Sequence, residues 1–237
     1  MARGGSVTLQ MITENDRGAL ANRLAHFVAE ELKDAIKKRG KASLAVAGGS
    51  TPKAFLTKLG ETELDWSKVI VILTDERCVS ASNTRSNAKF LSETLLTGVA
   101  SKATFIPIFH KGMELRDNLD SLASLLSEQV MPIDLCVLGM GTDMHTASLF
   151  PQAKGLEDAL DPGCTLPIVP IHPSTGEERR LSMTANTLTG ARQLHLLITG
   201  EAKRAALERA QKTKDIHLAP IKVALDADTM HTIWYAP

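Results

Sequence analysis

Six short apolar runs, 43–47, 69–74, 104–108, 134–138, 194–199 and 232–235, recur along the chain with helical or polar stretches between most of them. Strands joined by crossovers of that length cannot form hairpins; they pair in parallel, and the returning helices cover both faces of the sheet. The expected fold is therefore α/β, a three-layer α/β/α architecture around a mostly parallel sheet. A length of 237 residues suits one large domain spanning 1–237.

The helices between these runs are legible from their spacing. Leu20, Leu24, Phe27, Val28, Leu32, Ala35 and Ile36 fall in helical phase, and Gly40 stands where a stop is expected. Pro52 to Leu59 reads as a helix with Thr51 as N-cap and Pro52 at its first position. Another helix is expected near Arg85 to Leu96, with Ala88, Leu91 and Leu95 on one face. Leu115 to Gln129 carries Leu115, Leu119, Leu122 and Leu126 in phase, and Glu201 to Ala210 completes the set. The Asp75 segment reads as a polar loop. Pro151, Pro162, Pro167, Pro170 and Pro173 mark 151–180 as long surface loops around a short 166–171 strand, and such loops often frame a site.

Charge and composition narrow the partners. Lys plus Arg and Asp plus Glu both number 27, so no global basic field exists to hold nucleic acid. Aromatic content of 4% offers no stacking platform for bases either. The apolar runs are far too short to span a membrane, and the first residues lack the apolar segment of a secretory signal. Cys78, Cys136 and Cys164 are odd in number, widely spaced and outside any CxxC pattern, which argues against a zinc cluster and fits a reducing, cytoplasmic setting. Cys78 beside Arg77 lacks the positioned base that a catalytic thiol needs.

Chemistry-bearing residues gather at the ends of the predicted strands. In DLCVLGMGTDMHTASLFP, at 134–151, a buried strand runs into a glycine turn that carries Asp143, His145 and Ser148. Ligands of open α/β sheets bind outside those carboxyl ends. Gly48-Gly49-Ser50-Thr51-Pro52 lies between a strand and a helix start, which makes it either a phosphate cradle or an ordinary βα turn. The Gly-Lys-Ser/Thr ending of a Walker loop is absent. Asp75-Glu76-Arg77 puts two carboxylates and a guanidinium at a third strand end, for a bound anion or for a solvated internal pair. Lys203, in the first turn of the helix after 194–199, opposes the helix dipole, so it is either solvated or serves an anion. Gly139 and Gly141 do not make a dinucleotide fingerprint, because the third glycine and the ribose-binding acid are missing.

Taken in order, GGSTP at 48–52, TDERCV at 74–79 with Ser86-Asn87 downstream, LGMGTDMHTASLFP at 138–151, Arg180 before LSMT and TGEAKR at 199–204 resemble the 6-phosphogluconolactonase family. The resemblance spans nearly the whole chain. It implies the fold shared with glucosamine-6-phosphate deaminase and ribose-5-phosphate isomerase, and hydrolysis of 6-phospho-D-glucono-1,5-lactone without metal or organic cofactor. It further implies a phosphosugar lactone as partner, no nucleic acid, no membrane, and a monomer or small homo-oligomer. His145 would be the general base and then the acid, with Asp143 orienting it. Gly48, Gly49, Ser50, Thr51, Arg77, Arg180 and Lys203 would bind phosphate or stabilise the oxyanion. Two rivals remain. A deaminase or aldose–ketose isomerase would use Asp75 to abstract a carbon-bound proton, and a sugar-phosphate sensor would bind without turnover. One position departs from the family's Asp-Gly-His: Met144 replaces the glycine. Most non-glycine residues avoid the left-handed region, so Met144 is expected at negative φ, with the neighbouring glycines absorbing the turn.

Overall fold

The computed structural model describes residues 9–112, 114–174 and 176–237. In chain order its elements are β1 (Gln10–Thr13), α1 (Arg17–Arg39), β2 (Ala42–Val46), α2 (Lys53–Gly60), β3 (Val69–Leu73), β4 (Asp75–Arg77), α3 (Asn87–Thr94), β5 (Thr104–Ile106) and α4 (Leu115–Gln129). There follow β6 (Leu135–Leu138), α5 (Leu156–Leu160), β7 (Ile168–Ile171), β8 (Arg180–Met183), α6 (Ala185–Thr189), β9 (Gln193–Thr199), α7 (Glu201–Lys212), α8 (Lys222–Leu225) and β10 (Met230–Ala236).

Seven strands form one sheet in the order β1-β10-β9-β6-β2-β3-β5, and every neighbouring pair is parallel. All five residues of β2 and all four of β6 are buried, as central strands covered on both faces require. From β2 the chain builds outward through β3 to β5, then returns to lay β6 on the other side of β2 and builds outward again through β9 to β10. The direction therefore reverses between β2 and β6, and a crevice opens beyond their carboxyl ends. Of the helices, α1 buries Leu20, Leu24, Val28 and Leu32 along one face, is capped by the Asp16 carboxylate on the Gly18 and Ala19 amides, and stops at Gly40 as its periodicity predicts. Among the described residues no helix is long and apolar enough to cross a membrane.

Three expectations need correction. The segment after β3 is not a polar loop. The chain leaves the large sheet at Thr74, whose amide still bonds Val46, and enters a second, three-stranded antiparallel sheet ordered β4-β8-β7. Region 151–180 keeps its expected strand as β7 but also holds the helix α5, which its prolines did not suggest, and β8 starts at its last residue. Finally, Thr51 does not cap α2. Pro52 is the N-cap residue, and its ring has no polar atom with which to cap the helix; the Thr51 hydroxyl accepts from Lys203 instead.

Candidate active site

The loop after β2 sets one wall of the crevice. Gly48 packs so closely that a Cβ there would stand 2.2 Å from the Asn87 side chain, so no other residue fits unless that side chain gives up its place. Asn87, itself buried, donates from Nδ2 to the Asp75 carbonyl at 2.8 Å. Glu76 fixes the same corner. Its carboxylate accepts from the Asn87 and Ala88 amides, both at 2.7 Å, and from the Ser86 hydroxyl at 3.0 Å, which anchors the start of α3. Burial raises the Glu76 pKa despite these donors. Glu76 is thus a structural acid, spent on the helix start.

The loop after β6 carries the acid–base candidate. His145 Nδ1 lies 2.6 Å from Asp143 Oδ1, and the ring packs on Phe150 with centroids 4.3 Å apart. Burial would raise the Asp143 pKa, but the hydrogen bond and charge of His145 outweigh it and leave the carboxyl below its ordinary value. An ionised carboxylate only accepts, so Nδ1 carries the proton and Nε2 is the open basic nitrogen. A Cβ at Gly141 would stand 2.3 Å from the His145 ring, which explains a glycine there. Met144 adopts φ 69°, against the expectation of negative φ. The loop is pinned on both sides of it: the Met144 amide bonds the Gly141 carbonyl at 3.1 Å and its own carbonyl accepts from Ile221 at 3.0 Å. Those two bonds hold Met144 in the left-handed turn.

Cations complete the site. A crevice of about 240 Å³ is lined by Gly48, Gly49, Ser50, Thr51, Asp75, Arg77, His145, Arg180 and Lys203, together with Asn87, Ala147 and neighbouring loop atoms. Lys203 Nζ donates to Thr51 Oγ1 at 2.8 Å. Its pKa is lowered, first by burial and then by the charge of Arg17, so a bound anion would restore what burial removes. Arg77 and Arg180 face each other across β4 and β8, and the Nε of each is buried without a hydrogen-bond partner. Buried, unsatisfied guanidinium donors are expensive unless a ligand uses them.

Of the residues read from sequence, Gly48, Gly49, Ser50, Thr51, Asp75, Arg77, His145, Arg180 and Lys203 line this crevice, whereas Asp143 reaches it only through His145 and Glu76 and Ser148 lie outside it. Asp75 is 6% exposed, and its Oδ2 accepts from Ser148 at 2.5 Å. Ser148 itself is buried behind Asp75 rather than facing the crevice. Cys78 is no nucleophile, since burial pushes its thiol up to about 11. Sequence reasoning assigned no part to Phe150, and none to Asn87 beyond its place in the motif. The signal for Asn87 was the helix start at Ser86-Asn87; Phe150 gave none.

Residues 15–234 match the family described as glucosamine-6-phosphate isomerases/6-phosphogluconolactonase. The 6-phosphogluconolactonase of Mesorhizobium japonicum is 42% identical over 212 residues, 90% of this chain and 88% of the relative. The crystal structure of a 6-phosphogluconolactonase from Shewanella baltica superposes with a TM-score of 0.92 at 33% identity, covering 98% of this chain and 100% of the other. A monomeric glucosamine-6-phosphate deaminase shares the fold, with a TM-score of 0.78 at 15% identity over 96% of this chain and 97% of its own. With residues 15–234 matched and 90% of its length aligned to a relative at 42% identity, the chain belongs to the glucosamine-6-phosphate isomerases/6-phosphogluconolactonase family.

Proposed function

We propose that the chain hydrolyses 6-phospho-D-glucono-1,5-lactone to 6-phospho-D-gluconate, the lactone-opening step of the oxidative pentose phosphate pathway. The observation that carries this reading is a histidine held by a carboxylate on the rim of a crevice that also holds one buried lysine and two under-satisfied arginines. His145 Nε2 takes a proton from water as the oxygen adds to the lactone carbonyl carbon. The carbonyl oxygen becomes an oxyanion facing the guanidinium edge of Arg77 and Arg180. As the bond from that carbon to the ring oxygen breaks, the imidazolium returns its proton to the departing oxygen, giving a free hydroxyl and a carboxylic acid that ionises. Asp143 stabilises the imidazolium between the two transfers. Lys203, Ser50, Thr51 and the Gly48-Gly49 backbone take the phosphate.

The isomerase or deaminase reading would need Asp75 as base, but that carboxylate is buried and accepts the Ser148 proton, so it is poorly placed to reach a substrate carbon. The reading also places the chain in the cytoplasm, where its cysteines stay reduced, acting as a monomer or small homo-oligomer on a small molecule, without nucleic acid. Such lactones open unaided, so the test compares the disappearance of freshly generated 6-phosphogluconolactone with and without the protein. Acceleration is expected. Equal rates with retained 6-phosphogluconate binding identify a sensor, and ammonia release from glucosamine 6-phosphate identifies a deaminase.

A further inference from the structure

Arg77 and Arg180 are register partners on adjacent antiparallel strands, so their side chains leave the same face of the small sheet and their charges oppose each other. Each is tethered by one terminal nitrogen. Arg77 Nη1 donates to the carbonyl of Arg85 at 2.5 Å, and Arg180 Nη2 donates to the Glu177 carboxylate. The two tethers meet. Arg85 donates from Nη2 to that same Glu177 carboxylate at 3.2 Å, and from Nε to Glu178 at 2.7 Å. One surface arginine thus holds Arg77 through its backbone and Arg180 through a shared carboxylate, joining the segment after β4 to Glu177 and Glu178 ahead of β8. None of Arg85, Glu177 or Glu178 lines the crevice. The side chain of Arg180 is 6% exposed, whereas those of Glu177 and Arg85 are 44% and 50% exposed.

We propose that Arg85 and Glu177 form a latch that positions the guanidinium pair Arg77–Arg180, and so sets affinity for the anionic substrate without touching it. An isolated exposed ion pair is worth little to stability. This one acts instead on two cations that repel each other and that both line the crevice, each with guanidinium donors not used within the protein. With the latch intact the pair is preorganised, and ligand binding does not have to order it. Without it, Arg180 loses its only anionic partner among the described contacts and swings away from Arg77. Glu177 and Arg85 are positioning residues, and their contribution falls on binding.

The inference rests on the crevice being a phosphosugar lactone site, so its test has a binding arm and a turnover arm. Calorimetry with 6-phosphogluconate, which carries both anionic groups, is run on wild type, Glu177→Ala, Glu177→Gln, Arg85→Ala and the Arg85→Ala/Glu177→Ala double variant. Losing a charged partner predicts a Kd about tenfold weaker for Glu177→Ala. Glu177→Gln, which keeps an acceptor oxygen, should recover to within about threefold of wild type. The double variant should fall within about twofold of Glu177→Ala, because the two residues act as one unit. In turnover KM should rise in parallel while kcat changes less than about threefold, a split that a general loss of folding would not produce. Unchanged or tighter binding by Glu177→Ala overturns the latch, the tighter case making Glu177 a competitor for Arg180; so do additive losses in the double variant. A wild type that binds 6-phosphogluconate through a Glu177-dependent site but does not accelerate lactone opening overturns the proposed activity and leaves the latch standing.

Discussion

Between Gly139 and Thr146 the backbone dictates which side chains are tolerated. The Thr146 hydroxyl bonds the Gly139 carbonyl at 2.9 Å, and the Gly141 amide bonds the His145 carbonyl at 3.0 Å, so His145 closes a small ring of bonds before its side chain does anything. With Nδ1 occupied by Asp143, His145→Asn keeps the loop but removes the proton carrier. The expected loss in kcat is roughly 10² to 10⁴, with the Kd for 6-phosphogluconate little changed. Near-full activity in this variant would move the base elsewhere. Met144 tests the turn itself. At φ 69° a β-branched side chain is strained while glycine is relaxed. Met144→Val should destabilise by about 1 to 2 kcal/mol and lower kcat by displacing His145, whereas Met144→Gly should stay within about 1 kcal/mol of wild type, its relieved strain offsetting lost packing. Melting temperatures that rank valine level with methionine would refute the left-handed turn.

At the scale of elements, what could be read from sequence was what is periodic. Helix α4 starts and ends at the expected residues, and β2, β3, β6, β9 and β10 lie within a residue or two of the apolar runs, because burial on both faces demands unbroken hydrophobic strands. The small sheet was legible only in β7, which falls within the expected 166–171 strand, and the rest was hidden for the opposite reason. Its β4 is three charged residues, Asp-Glu-Arg, paired with Ser182, Leu181 and Arg180 more than a hundred positions away, and no local pattern encodes that pairing. The candidate residues were nevertheless visible, since strand ends are where such chemistry collects; what sequence withheld was their partners, such as Ser148 for Asp75 and Thr51 for Lys203. Helix α7 shows the value of an anomaly. A lysine in its first turn opposes the dipole, and here that lysine is half-buried at the crevice with a lowered pKa. Lys203→Ala should weaken binding of the phosphorylated lactone by about 1.5 to 3 kcal/mol and barely affect an unphosphorylated lactone, cutting discrimination by one to two orders of magnitude. Equal damage to both substrates would give Lys203 to the oxyanion or to the fold.

Across the whole molecule, a chain with no net charge concentrates cations from β4, β8 and α7 at the sheet's reversal point. Burial acts on a different group at His195 in β9. It is fully buried, edge-on to Phe27 of α1 with centroids 5.2 Å apart, and its Nδ1 accepts from Trp234 Nε1 of β10 at 3.4 Å. On its other side Nε2 meets Gln193 Oε1 at 3.4 Å, and the His231 ring lies with its centroid 6.0 Å from that of His195. Burial first, and then the charge of His231, push the His195 pKa down to about 3. In the unfolded chain it titrates near its ordinary value of about 6.5, so between those limits the unfolded state binds a proton that the native state refuses. Stability from this residue is therefore fully present above the unfolded pKa and drains away as pH falls toward the folded one, by up to about 1.4 kcal/mol per pH unit. Replacing His195 with Leu removes the titration. The variant will lose some stability at neutral pH, because Trp234 Nε1 is left without its acceptor, but urea unfolding at pH 7, 6, 5 and 4.5 should show a shallower fall than wild type by nearly one proton's worth of slope. Parallel curves for the two proteins would mean that His195 is protonated in the native core, and the joint between α1, β9 and β10 would then have to hold a buried charge.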